Sequence, residues 1–185
     1  MLSSTTAGND VAIDIQFGFF DRLIASPVNR LALLLGRLAG AAVYGAVLAV
    51  IFTGFLMLFG ASLAAGWGAL LTLVLVGALF GTAIGALSMA IGFRTGSVEQ
   101  VNGYFPIFFT FIFLSSAFFP PELTGGWFEF VADLNPISWM INGARHQVIF
   151  GWDPVGAIQA VLVALGIAAV CLVGASAALN QRLRR

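Results

Sequence analysis

Lysine is absent from this chain of 185 residues, and histidine and cysteine occur once each, as His146 and Cys171. A single cysteine cannot close an internal disulfide and says nothing about redox compartment. A single histidine excludes a clustered histidine metal site, and no Cys/His spacing of the metal-binding kind exists. No GxxxxGK[ST] loop is present, so nothing marks the chain as hydrolysing a nucleotide itself. No Ser/His/Asp spacing suggests a nucleophilic triad. The opening MLSSTTAGND has neither the basic start nor the apolar core of a signal peptide. The largest absence is charge. Residues 38–93, 100–121 and 154–181 contain no Asp, Glu, Lys or Arg. Water-soluble domains do not leave such runs, so that whole class is excluded.

What remains is 60% hydrophobic. Runs of about 18 or more apolar residues read as spanning helices. Four are expected, over roughly 38–59, 68–93, 101–119 and 155–179. Each is long enough to reach about 30 Å at helical rise. Barrel alternation is missing, and lipid admits only helices or closed barrels. The expected fold is therefore an all-α integral membrane protein, with four transmembrane helices and short re-entrant helices on the outer side. Residues 1–37 form an N-terminal cytoplasmic region, and 38–185 the membrane domain.

Arginine sets the orientation. With four spans, Arg22, Arg30, Arg37, Arg94, Arg182, Arg184 and Arg185 fall on one side, which the positive-inside rule makes cytoplasmic. Arg145 lies opposite, with Glu122, Glu129, Asp133, Asp153 and all four tryptophans. Both termini are then cytoplasmic. Arginine without lysine, in an Ala- and Gly-rich chain, is associated with GC-rich bacterial genomes; the expected location is a bacterial plasma membrane.

The outer stretch 120–153 holds apolar runs too short to span. Two short helices are expected, near 126–134 and 136–149, with Asn135 as N-cap and Pro136 in the first turn of the second. They would dip into the outer membrane face, buried by other helices. At the N-terminus, Asp10, Asp14 and Asp21 fall within about 40° of one another on a helix. Pro27 should end that helix after Ala25 or Ser26. The segment reads either as a docking element for a cytoplasmic partner or as an interfacial juxtamembrane helix. Gly77, Gly81 and Gly85 form a small-residue ridge, and Gly36-x-x-x-Gly40 opens the first span. Such ridges pack helices within one chain or seam two chains together. Pro106 should kink the third span. Arg145, if buried, needs a partner, and Glu129, Asp133 and Asp153 are the candidates.

Three blocks carry a family resemblance. The first is GFFDRLIASPVNRLALLLGR, with Gly18, Asp21, Arg22, Ser26, Pro27, Arg30, Gly36 and Arg37. The second is SSAFFPPELTGGWFEFVADLNPISWMINGARH, with Phe119-Pro120, Asn135-Pro136 and Arg145. The third is the order of parts: N-terminal segment, three spans, outer re-entrant region, last span, basic tail. Together they resemble the C-terminal two-thirds of a type-2 ATP-binding-cassette (ABC) transporter permease of the daunorubicin-resistance exporter kind. The resemblance implies ATP-driven export by two permease chains, as a homodimer or heterodimer. Two separate cytoplasmic ATPase subunits would hold ATP and Mg, so this chain needs no cofactor of its own. Asp14, Gly18, Asp21, Arg22, Ser26, Pro27 and Arg30 would couple the ATPase to the spans. Phe119, Pro120, Asn135, Pro136 and Arg145 would form an outer gate. The path would run between permeases, walled by the first and third spans. The substrate would be a drug, antibiotic, lipid or glycolipid. No nucleic-acid partner is implied; membrane lipid surrounds the spans.

The chain departs from the family in one large respect. Members usually carry an interfacial helix and two spans ahead of the coupling segment, whereas Met1 lies about where the second span should be ending. Thr124 also stands where a second proline is frequent. A permease without its N-terminal two spans is expected, with an inactive truncated fragment or a non-transporting membrane scaffold as alternatives. A channel or secondary transporter fits less well, because the spans hold no interior ionisable residue. An intramembrane enzyme fits least, because no paired catalytic groups fall within them.

Overall fold

The computed structural model describes residues 5–20, 22, 30–119 and 125–184, without the side chains of residues 30 and 31. In chain order the helices are α1 (Thr6–Gln16), α2 (Arg30–Leu58), α3 (Trp67–Thr95), α4 (Val98–Gly103), α5 (Phe105–Phe113), α6 (Trp127–Leu134), α7 (Pro136–Ile149) and α8 (Pro154–Arg182). Among the described residues, three helices are long and apolar enough to cross a membrane: α2, α3 and α8. Each has 29 residues, about 43 Å of helix at 1.5 Å per residue, which exceeds the hydrocarbon core of about 30 Å by a little over two turns. The excess carries Arg37, Arg94 and Arg182 out of the apolar layer.

Small residues decide how these helices meet. A Cβ placed on Gly45 of α2 would overlap the carbonyl oxygen of Gly77 on α3. One on Gly77 would lie 2.8 Å from the carbonyl oxygen of Gly45, and one on Gly81 2.6 Å from that of Ala41. The pairing 45 to 77 and 41 to 81 runs antiparallel. Without a hydrophobic drive between helices in lipid, such backbone approach is what holds them together. On α8, Gly156, Ala160, Ala164 and Ala168 repeat every four residues and are all buried. They form one ridge along the helix. Val76 meets Ala160 and Ala164, while Met89 and Phe93 cluster with Ala175 and Ala178. α8 therefore lies parallel to α3. Thr72, Thr82 and Thr95 donate to the carbonyls of Gly68, Ala78 and Ile91, so their hydroxyls are satisfied within α3.

The third expected span is not one continuous helix. α4 stops at Gly103, Tyr104 is a turn, and α5 restarts with Pro106 in its first turn. A proline ring inside an uninterrupted helix would clash with the carbonyl four residues back. Restarting the helix places the ring where no N–H is needed. The chain still runs from the arginine-rich end of the bundle to the tryptophan-rich end. Gly96 lies beside Arg182, and Ser116 bonds to α7. α5 buries none of its residues.

The first helix also ends earlier than Pro27 alone would dictate. Gly18, at φ +68°, turns the chain just after Gln16. That left-handed conformation suits glycine after a helix C-terminus. Asp10 and Asp14 therefore share α1 without Asp21, which lies outside the described residues along with Ser26 and Pro27.

Candidate functional site

At the arginine-rich end, five helices are tied together. α1 packs on α3 through its buried face of Ala7, Gly8, Val11 and Ala12. A Cβ on Gly92 would lie 2.6 Å from the Gly8 carbonyl oxygen, so the two backbones touch. Asp14 of α1 pairs with Arg37 of α2. Gln16 Nε2 donates to the Gly96 carbonyl at 3.0 Å, and Asn9 Nδ2 to Asn102 Oδ1 of α4 at 3.3 Å. Arg182 Nη1 donates to the Phe93 carbonyl at 3.1 Å and so joins α8 to α3. Ser97 caps α4, accepting from the Gln100 amide at 3.3 Å. Its hydroxyl, with a backbone amide, holds the Glu99 carboxyl below the usual range. Of the other coupling candidates, Arg22 is exposed and Arg30 opens α2.

Above this cluster an apolar cavity of about 590 Å³ opens between α3, the α4–α5 segment and α8. Ile84, Leu87, Phe108, Phe111 and Ile167 are among its walls, and Arg94, Thr95 and Tyr104 stand together at the arginine-rich end. It is within the size range of small-molecule sites, which are mostly apolar with a few placed polar groups. No residue of α2 lines it, so the first span is not a wall of this cavity. The α5 residues that face it, 107, 108, 111 and 112, follow helical spacing. Phe105, Phe109 and Phe113 stack along another face at centroid distances of 6.4 and 6.2 Å. Phe119 continues that row, edge-on to Phe113 at 5.9 Å and to Phe128 of α6 at 6.1 Å.

The tryptophan-rich end is held by hydrogen bonds. Asn135 caps α7, accepting from the Ile137 amide at 3.0 Å, and its Nδ2 donates to the Phe111 carbonyl at 2.8 Å. The Ser116 amide donates to Ser138 Oγ at 3.0 Å, and Ser116 Oγ to Asn142 Oδ1 at 2.7 Å. Arg145 completes the network. Its Nη2 donates to the Ser116 carbonyl at 2.5 Å and its Nη1 to Asn142 Oδ1 at 3.2 Å. The acidic partner expected for Arg145 is thus replaced by a carbonyl and an amide. Asp153 instead caps α8 through the amides of Val155 and Gly156, and it lies 3.9 Å from His146. Pro120 lies outside the described residues.

The glycine candidates divide. Gly77 and Gly81 pack against α2 within the chain, and Gly85 is buried in α3. At Gly36 and Gly40 no atom of the described residues lies within 4 Å of an added Cβ, so neither makes a close helix contact there. Gly45, Ser116, Asn142 and the fully buried Gln147, which bonds both backbone groups of Asp153, were not singled out by sequence. The Ala41-x-x-x-Gly45-x-x-x-Ala49 spacing and the Ser115-Ser116 pair in an apolar run were the available signals. Among the described residues, no three His, Cys, Asp or Glu side chains converge on a metal-sized space.

The ABC-2 type transporter family matches residues 1–149. The chain belongs to that family. It is 30% identical over 176 residues to the "Daunorubicin resistance ABC transporter permease protein DrrB1" of Streptomyces coeruleorubidus, covering 92% of this chain and 60% of that protein. It is 26% identical to the "Putative transport permease ycf38" of Porphyra purpurea, covering 76% of this chain and 48% of that protein. A protein of the same description from Pyropia yezoensis is 27% identical, covering 90% and 62%. The chain thus spans about half to three-fifths of the length of these relatives. No solved structure shows a significant match. Membership makes the chain a membrane protein of the ABC transporter class. The family match covers α1 to α4 of the junction and the outer network up to Ile149, while α8 lies beyond it.

Proposed function

We propose that the chain is the membrane permease part of an ATP-driven ABC exporter that moves a hydrophobic or amphipathic substrate out of the cell. The observation that carries this reading is the family match over residues 1–149. The printed name of the Streptomyces relative supports a drug or antibiotic as one substrate class, and the apolar cavity between α3, α5 and α8 suits such a molecule. ATP and Mg belong to a separate ATPase subunit, and a second permease chain completes the pore. The arginine-rich end faces the cytoplasm of a bacterial cell. There the ATPase docks near residues 14–30, and α1 passes its movement to α2 and α3 through Asp14, Arg37 and the Gly8–Gly92 contact. Such coupling requires the ATPase to bind two arrangements of these helices differently.

Purification of the C-terminally tagged chain from its native host, with masses read for the chain and its companions, tests this. A P-loop ATPase should accompany it; repeated gentle preparations without one would sink the exporter reading.

The Asp14–Arg37 pair provides a finer test. Both side chains are about one-fifth exposed. Solvent screening limits such a pair to roughly 1 kcal/mol of stability. Asp14→Asn should therefore leave the fold nearly unchanged while lowering the amount of ATPase retained per chain. The exchange Asp14→Arg with Arg37→Asp should restore retention. Equal retention in the wild type and both variants would remove the pair from the coupling path.

A further inference from the structure

We infer that the cavity between α3, α5 and α8 is a binding site for an anionic amphiphile, with its acidic head on Arg94 and its hydrocarbon body along Ile84, Leu87, Phe108 and Ile167. The polarity of the cavity is one-sided. Among its lining residues, the polar groups Arg94, Thr95 and Tyr104 sit at the arginine-rich end, and the rest of the wall is almost wholly aliphatic or aromatic. Arg94 is exposed at the cavity wall, and its bonding differs from that of three other arginines. Arg37 has Asp14, Arg145 has Ser116 and Asn142, and Arg182 has the Phe93 carbonyl. Arg94 has no hydrogen-bond or ion-pair partner among the described residues, and Tyr104, which adds a hydroxyl at the same mouth, has none either. Thr95 is already engaged with Ile91. Glu99 is occupied by Ser97 and forms no ion pair with Arg94.

A guanidinium presents a planar fork of donors that suits carboxylate or phosphate. Placed at the mouth of an apolar cavity, it favours a head group of opposite charge and disfavours a cationic one. The cavity volume of about 590 Å³ leaves room for a hydrocarbon chain behind that head. This assignment goes beyond the exporter reading, because binding needs neither ATPase nor transport.

The only cysteine, Cys171, lies in the cavity wall and is partly buried, so its modification reports occupancy. The purified chain, in a neutral detergent, would be treated with an uncharged maleimide in the presence of oleate or methyl oleate. Oleate should slow modification at about tenfold lower concentration than the ester, the factor expected of one charge-assisted contact. Arg94→Gln should abolish that difference, and Arg94→Lys should keep part of it. Equal protection of the wild-type chain by oleate and its ester would overturn the assignment without any variant. So would an undiminished oleate preference in Arg94→Gln. Nanodiscs of phosphatidylglycerol or phosphatidylcholine then separate the sources. Slowed labelling in phosphatidylglycerol alone marks a membrane lipid as the ligand; slowed labelling only after oleate is added marks a free amphiphile. Failure of all these arms removes the site and leaves the exporter reading standing. Absence of an ATPase companion does the reverse.

Discussion

Gly45→Ala is expected to destabilise the helix bundle by about 2–3 kcal/mol, although alanine is the better helix former. The added methyl would overlap the Gly77 carbonyl oxygen, and the Gly77 carbonyl carbon would lie 2.9 Å away. These are backbone atoms of a helix, which cannot swing aside as a side chain can. α2 and α3 must separate, and separation loses contact along the whole Ala41–Ala49 face. Gly40→Ala and Gly54→Ala on the same helix provide the contrast, since nothing lies within 4 Å of a Cβ at either position. There only the helix-propensity gain of up to about 1 kcal/mol remains, so those variants should be neutral or slightly stabilised. Unfolding midpoints in a denaturing-detergent titration would measure all three. A Gly45→Ala midpoint equal to wild type would mean that the glycine contact does not hold α2 to α3.

That contrast also shows what spacing alone can and cannot reveal. The Gly36-x-x-x-Gly40 pattern is a correct ridge, but it says nothing about which way the ridge points. Gly45 is five residues beyond Gly40, about 140° further round the helix. It therefore meets α3 while Gly40 faces away. The long helices were legible because lipid demands long apolar runs, and α2, α3 and α8 supply them. Their ends were less so, since helices continue past the apolar layer at no penalty. The third span had the right composition but not the right continuity. Its break at Tyr104 reflects the local cost of Pro106, which a count of apolar residues does not register. Asn135 and Pro136 were legible at residue level because a cap and a first-turn proline are local chemistry. The cavity was not, because its walls come from residues some 90 positions apart, such as Ile84 and Cys171.

Arg145→Met is expected to cost about 3 kcal/mol and to free the turn after α5 from α7. Charge reasoning sought an acid for this arginine, yet Glu129 and Asp133 are exposed and make no ion pair with it among the described residues. Its guanidinium instead holds the carbonyl of Ser116, a fully buried residue 29 positions upstream, and shares Asn142 with the Ser116 hydroxyl. Methionine keeps the length and apolar body of the side chain but donates nothing. The Ser116 carbonyl then loses its charged donor, and a buried acceptor left without a partner bears its full desolvation penalty. Since α5 buries none of its own residues, the bonds from Arg145, Ser138 and Asn135 are what fix its outer end. Amide exchange over 107–117 should rise in Arg145→Met while α3 and α8 remain protected. Glu129→Gln and Asp133→Asn should leave exchange unchanged. If those acid variants loosen the turn as much as Arg145→Met does, the arginine is held by charge after all, and the carbonyl anchor is wrong.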